Sequence, residues 1–364
     1  MFDLESVARQ VNRNCRISDS SHAGLYSICG LAMRLRDLYK WENSLAPWVE
    51  DESSRVLDWI GRQEDTWNDL AEEEFSAITI SGREYDPLDV KHINRVLETH
   101  GYYYGAGYVH SMKPSFFLAV LEEKRRIGSH PVRVLGRELA RDLVTIPALS
   151  QDGSIIIRKA AAKVFFWDQM FYVKKSGRQA LRFALEKYGI EDDLHALRPH
   201  LDRVLEAELD RYIYHELGET TDRTFDRTVW REIIARFPHT PIELFVRCVK
   251  DLLADTNEQG TLPYILKNRK QGMLGFYVAF LNSLTREIFP EIVDGFGIFV
   301  KAGDWEAIER AISRGSSTAR RFAGEVSDIY RRGKEKNDME WTARTMENAV
   351  LAPLGLAGKK ESKG

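Results

Sequence analysis

Glu208, His215 and Glu219 are the residues whose types and spacing come nearest to chemistry. They follow one another at intervals of seven and four residues. A helix is predicted over 199–217, where Leu201, Val204, Leu205, Leu209 and Tyr212 define an apolar face at about 100° per residue. The three polar residues fall inside that face, with Glu216 nearer its edge. An acid or imidazole on a buried stripe is costly unless it is paired or ligated. A divalent metal is one such partner, because His and carboxylate side chains at i and i+4 can converge on one ion. A carboxyl of raised pKa acting as general acid or base is a second outcome. The third is a buried hydrogen-bonded network, or a helix end already leaving the core at Gly218.

The pattern stops short of a complete motif, which favours that third outcome. His215-Glu216-x-x-Glu219 matches a zinc-protease helix only in its first half, since Glu219 stands where a second His is needed. A di-iron bundle requires Glu three residues before His, and Tyr212 occupies that position. Further ligands would have to come from His22, Glu42, His195 or His200.

A second set is Arg137 and Arg141, with Arg158 as a third member. If 136–143 is helical, Arg137, Glu138, Arg141 and Asp142 form a charged face, either solvated or lining an anion pocket. Arg34, Arg36 and Asp37 invite the same two readings. Gly105-Ala106-Gly107 is half a dinucleotide fingerprint with His110 in place of the last Gly, so no cofactor-binding residue is assigned. No Ser or Cys sits in a nucleophile elbow. Gly315-Ser316-Ser317-Thr318 lacks the P-loop lysine, and Ser316 or Ser317 is expected to cap a helix.

The elements expected to position these groups are mostly helical. Helices are predicted over 20–42, 50–70, 86–100, 155–172 and 179–188. In the second half they are predicted over 199–217, 227–237, 241–254, 262–289 (with a break at Gly272 as the alternative), 304–313 and 318–331. Ala77–Ile80 reads as a brief extended piece. Tyr102–Tyr108 reads as a turn-rich aromatic loop. Phe116–Leu121 and Val132–Leu135 read as a β-hairpin over about 116–135, with a helix beginning at Pro131 as the alternative for the second run. The expected fold is therefore mainly α: packed helical layers with a small β-hairpin insertion in the N-terminal half. A boundary near Gly189–Asp193 divides a mainly helical domain, 1–190, from an all-helical domain, 191–357, followed by a disordered tail, 358–364.

The 364 residues are 43% hydrophobic and 29% charged, enough for a core and for about two domains. Fifty-two basic residues against 55 acidic ones give a net charge of −3, which disfavours a general nucleic-acid binder. Three separated cysteines, Cys15, Cys29 and Cys248, exclude a disulfide framework and read as reduced thiols. The acidic start Met-Phe-Asp-Leu-Glu-Ser does not read as a secretory signal, and no apolar run approaches 18 residues, so a cytoplasmic protein with no membrane association is expected.

Three stretches, Cys29–Glu42, Gly136–Leu143 and Tyr214–Glu219, resemble those of an uncharacterised bacterial cytosolic protein family, over roughly the first 220 residues. The resemblance implies a bacterial cytosolic origin and transfers no catalytic residue. With no complete catalytic motif, the sequence leans to an interaction or scaffold protein that binds an unknown protein partner or itself. The alternative is a metal-dependent or acid/base enzyme or ligand binder built on Glu208, His215 and Glu219.

Overall fold

The computed structural model describes residues 2–109 and 112–356. His110 and the tail at 358–364 lie outside the described residues. Contacts divide the chain into two units: residues up to Phe171 with Leu201–Leu205, and Tyr172–His200 with the residues from Glu206 onward.

The first unit starts with α1 (Leu4–His22), α2 (Ile28–Glu42) and α3 (Ser53–Leu70). β1 (Ile78–Ile80) and β2 (Arg83–Tyr85) form a small hairpin, followed by α4 (Val90–Leu97). Then come β3 (Tyr102–Tyr108), β4 (Pro114–Ile127), β5 (His130–Arg141), β6 (Ala148–Gln151) and β7 (Ser154–Arg158), and last α5 (Lys159–Phe171). The five later strands form one mixed sheet in the order β3-β4-β5-β7-β6, with β5 and β7 parallel. Register shifts along the β4–β5 pair add twist and bend the sheet. The Gln151 amide of one edge strand donates to the Ala106 carbonyl of the other, so the sheet curls toward closure.

This sheet overturns the expectation of packed helical layers with only a small hairpin. The hairpin at 116–135 is present, but it is the centre of a larger structure. Tyr102–Tyr108 is a strand rather than a loop, and Gly105 is there because a Cβ would strike the Phe117 ring paired across from it. The 136–143 stretch continues β5 almost to its end rather than forming a helix. Ile155–Ile157 is a strand buried on both faces, and such a run cannot be told from buried helix by periodicity. The Asp152-Gly153 pair before it, both at positive φ (49° and 73°), is the two-residue turn that joins β6 to β7.

One face of the sheet packs on α1 and α4 through Val7, Val11, Ile93, Leu97, Tyr104, Phe116 and Leu118. Asn94 of α4 clips the open edge of β3 by exchanging hydrogen bonds with the Tyr104 backbone (2.7 and 2.8 Å). Beneath α1 lies a sealed ionic knot. The Lys113 side chain is 1% exposed, and its Nζ reaches Asp19 (3.1 Å), Asp142 (3.2 Å) and the Ser18 hydroxyl (2.9 Å).

The second unit contains α6 (Arg178–Lys187), α7 (Leu194–Leu197), α8 (Leu201–Thr221, whose first five residues group with the first unit), α9 (Arg227–Arg236), α10 (Pro241–Thr256), α11 (Thr261–Asn268), α12 (Gln271–Ala279), α13 (Ser283–Ile288), α14 (Pro290–Ala302), α15 (Trp305–Glu335) and α16 (Met339–Met346). The segment 189–193 joins α6 to α7. α12 is buried over 272–279 and apolar almost all round, as a central helix must be. The two helices expected at 304–313 and 318–331 are one, α15. Ser317 sits inside it, donating back to the Ser313 carbonyl (3.0 Å) rather than capping.

Lys113→Met leaves Asp19 and Asp142 buried without their cation. We expect it to lower unfolding free energy by about 3–5 kcal/mol in urea titrations. A loss below about 1 kcal/mol would show that the knot does not hold α1 to the sheet.

Candidate functional site

α10 begins sharply. The Thr240 hydroxyl accepts from the Glu243 amide (3.3 Å), Pro241 occupies the first turn, and the Glu243 carboxylate accepts from the His239 amide (2.6 Å). From this start Ile242, Phe245, Val246, Val249, Leu252 and Leu253 are buried, and Asp251 and Asp255 stand four residues apart. α8 crosses α10 closely at Gly218, where a Cβ would strike the Ala254 backbone. That approach brings two helix C-terminal ends together, each carrying partial negative charge.

Six ionisable groups among the described residues meet at the crossing. His215 Nδ1 lies 2.9 Å from Asp255 Oδ1, and the Tyr277 hydroxyl donates to Asp255 Oδ2 (3.1 Å). His215 Nε2 faces Glu219 Oε1 at 3.9 Å. Asp251 completes a group with His215 and Glu219, in which one ligand atom from each lies within 4.8 Å of the others. Lys250 Nζ donates to Glu219 Oε2 (2.7 Å) and sits 4.3 Å over the Trp230 ring. His215 and Glu219 are half-buried and Asp251 is exposed, so the cluster opens to solvent. Burial alone would lower the His215 pKa. The Asp255 carboxylate, helped by Asp251 and Glu216, outweighs it and holds the imidazolium up to about 10. Burial and the same carboxylate raise the Tyr277 hydroxyl, which therefore stays a donor.

Of the three residues singled out on α8, the structure brings His215 and Glu219 together. Glu208 lies two turns away and is fully buried. Its Oε1 accepts from the Tyr188 hydroxyl (2.7 Å), and its Oε2 lies 3.7 Å from Arg211 Nε. Burial pushes its carboxyl up to about 7, against the pull of Arg211 and Tyr188. The additional ligands suggested by sequence do not join: His22 bonds the Ser18 carbonyl, Glu42 takes the Trp59 indole, and His195 and His200 are exposed. Asp251 and Asp255 went unnoticed in the sequence. Their signal is an Asp-x-x-x-Asp spacing at the end of a predicted helix, where carboxylates are disfavoured by the helix dipole and so need a cation.

Arg141 and Arg158 also converge, but on a carboxylate. Arg158 Nε lies 2.7 Å and Arg141 Nη1 3.5 Å from Glu138, all three buried. The Arg158 guanidinium rests 4.3 Å over the Phe117 ring. Arg137, next to Glu138 on a strand, alternates outward and is exposed.

Residues 6–158 match the N-terminal domain, and residues 163–349 the C-terminal domain, of a family of unknown function (DUF6866). The chain belongs to this family. The three stretches that carry the sequence resemblance lie inside the two matches, which continue well beyond residue 220. No curated protein and no solved structure matches the chain. Among the described residues, no helix is long and apolar enough to cross a membrane.

The raised Glu208 pKa has a definite sign. The stability it contributes is full below about 4.5, the ordinary value, and is lost as pH rises through about 7. Glu208→Gln removes that loss. Between pH 5 and 8 the stability difference should move in favour of the variant by about 2–3 kcal/mol in paired urea titrations. A difference independent of pH would mean that Glu208 is ionised throughout.

Proposed function

We propose that the second domain of this family binds a divalent metal ion through His215, Glu219 and Asp251, and that the chain acts as a metal-dependent enzyme or ligand binder. The observation that carries this reading is the hydrogen bond from His215 Nδ1 to Asp255. A carboxylate holding Nδ1–H leaves the Nε2 lone pair of the neutral imidazole facing outward, as in the carboxylate–histidine arrangement of metal sites. One nitrogen and two carboxylates suit zinc, manganese or ferrous iron, and three protein ligands leave positions for water or substrate. Without metal, His215 in its protonated form and Lys250 supply the positive charge that the carboxylates require. Glu208, sealed behind Tyr188 and Arg211, serves as a buried polar support rather than a ligand in this reading. The unpaired Cys15, Cys29 and Cys248 fit a reducing, cytoplasmic setting.

Competition with a chromogenic chelator should detect one Zn²⁺ or Mn²⁺ per chain. Affinity should rise from pH 7 to 9, because the imidazolium proton must leave. His215→Ala and Asp251→Asn should each lower affinity by at least about 100-fold, and Asp255→Asn by about 10–100-fold. Glu208→Gln should leave it unchanged. Metal binding that survives His215→Ala, or no binding at all, would sink the reading.

A second reading, an interaction protein that self-associates or binds a protein partner, is favoured by apolar side chains left in solvent in the first domain. Ile28 at the start of α2 is 90% exposed and Leu57 on α3 is 65% exposed. Light scattering should then report a dimer that Ile28→Glu combined with Leu57→Glu converts to monomer. A monomer in the unsubstituted protein would remove the self-association form of this reading.

A further inference from the structure

A cleft of about 670 Å³ opens between α4, the ends of β3, β4 and β5, and the β6–β7 turn. Its volume is in the range of small-molecule sites, about 300–1,000 Å³. Four cations line it, Lys91, Arg95, Lys124 and Arg133, against two carboxylates, Glu98 and Asp152, an excess of two positive charges.

The placement of these charges is what points to a ligand. Lys124 and Arg133 are direct cross-strand partners, a like-charge pairing that is unfavourable by itself. A single carboxylate, Glu98, bridges both, at 2.7 Å from Lys124 and 3.1 Å from Arg133. Lys91 and Arg95, one helical turn apart on α4, form no close ion pair among the described residues, Arg95 acting only at longer range on Asp89, and both are exposed. Tyr103 supplies the decisive detail. The residue is 4% exposed, it forms part of the cleft wall, and its hydroxyl has no hydrogen-bond partner among the described residues. The hydroxyl is not sealed from solvent, so an acceptor that enters the cleft can meet it.

We propose that this cleft binds a phosphorylated small molecule. A phosphate dianion matches the two surplus charges, and its oxygens would accept from Lys91, Arg95 and the Tyr103 hydroxyl. The cleft is larger than the anion, leaving room for the organic part of a phosphoester beside the Tyr103 ring. Nothing in this assignment depends on the metal site of the second domain.

The test is isothermal titration calorimetry of the full chain with inorganic pyrophosphate and with glucose 6-phosphate, in the presence of EDTA so that no metal contributes. Glucose serves as the uncharged control. We expect saturable binding of at least one phosphorylated probe, one per chain, weakened by salt. Lys91→Ala combined with Arg95→Ala should weaken it at least about tenfold. Tyr103→Phe should weaken it about threefold to tenfold while leaving thermal stability unchanged, because the hydroxyl it removes holds no protein partner. All three side chains can be replaced without unpairing a buried charge, so the variants should fold. No saturable heat with either phosphorylated probe, equal binding of glucose, or unchanged affinity in the double variant would overturn the proposal.

Discussion

Lys113 takes an ammonium ion into the interior of the first unit, and much of that unit is arranged to receive it. Asp19 comes from the end of α1 and Asp142 from the end of β5, so one cation ties a helix to two strands. The carboxylates also serve backbone donors left free where the strands end. Asp142 accepts from the amides of Phe116 (3.2 Å) and Val144 (2.8 Å), and Asp19 accepts from that of Leu143 (3.1 Å). A buried pair of this kind adds little net stability compared with an apolar replacement. Breaking it is expensive, because an uncompensated charge remains inside. Its effect is therefore to select one seating of α1 on the sheet over others that hydrophobic packing alone would allow.

The same requirement acts in the second unit with a different result, because the cluster there is open to water. Glu208 is sealed, so its carboxyl is pushed toward neutrality and its partners are a phenol and a guanidinium. His215 and Glu219 stand at the edge of the core, where Asp251 and Asp255 add charge and solvent can still enter. Two turns of one helix thus separate a group suited to hold structure from groups suited to hold an ion. The controlling contact is steric: without a side chain at Gly218, α8 and α10 approach until His215 and Asp255 are in hydrogen-bonding distance.

Legibility of the fold followed from how each element is buried. α10 and α9 were readable to within a residue or two, because one face is apolar and Pro241 and Asp226 mark the starts. α1 was missed because its buried stripe contains Asn14, Ser18 and Asp19 beside Val7 and Val11, which blurs the apolar period. The sheet was read as less than it is because β4, β5 and β7 are covered on both faces in part, so the two-residue alternation that marks a strand is lost. Charged residues on β5 reinforced the error, since Arg137, Glu138 and Arg141 fit a helical spacing as well as they fit a strand with buried ion pairs.

What the sequence by itself determined was local: which residues carry chemistry, the four-residue step from His215 to Glu219, the helix starts, and the charge balance. Side-chain periodicity and caps depend only on neighbours along the chain, so they can be read there. The tertiary structure alone decided which of these groups meet. It set Asp251 and Asp255, some forty residues away, against His215, moved Glu208 out of that company, and turned Arg141 and Arg158 onto Glu138 instead of an open pocket. It also gathered Lys91, Arg95, Lys124, Arg133 and Tyr103 from four separate elements around one cleft. Such meetings depend on the crossing of helices and the curl of a sheet, which long-range packing sets and no local spacing encodes.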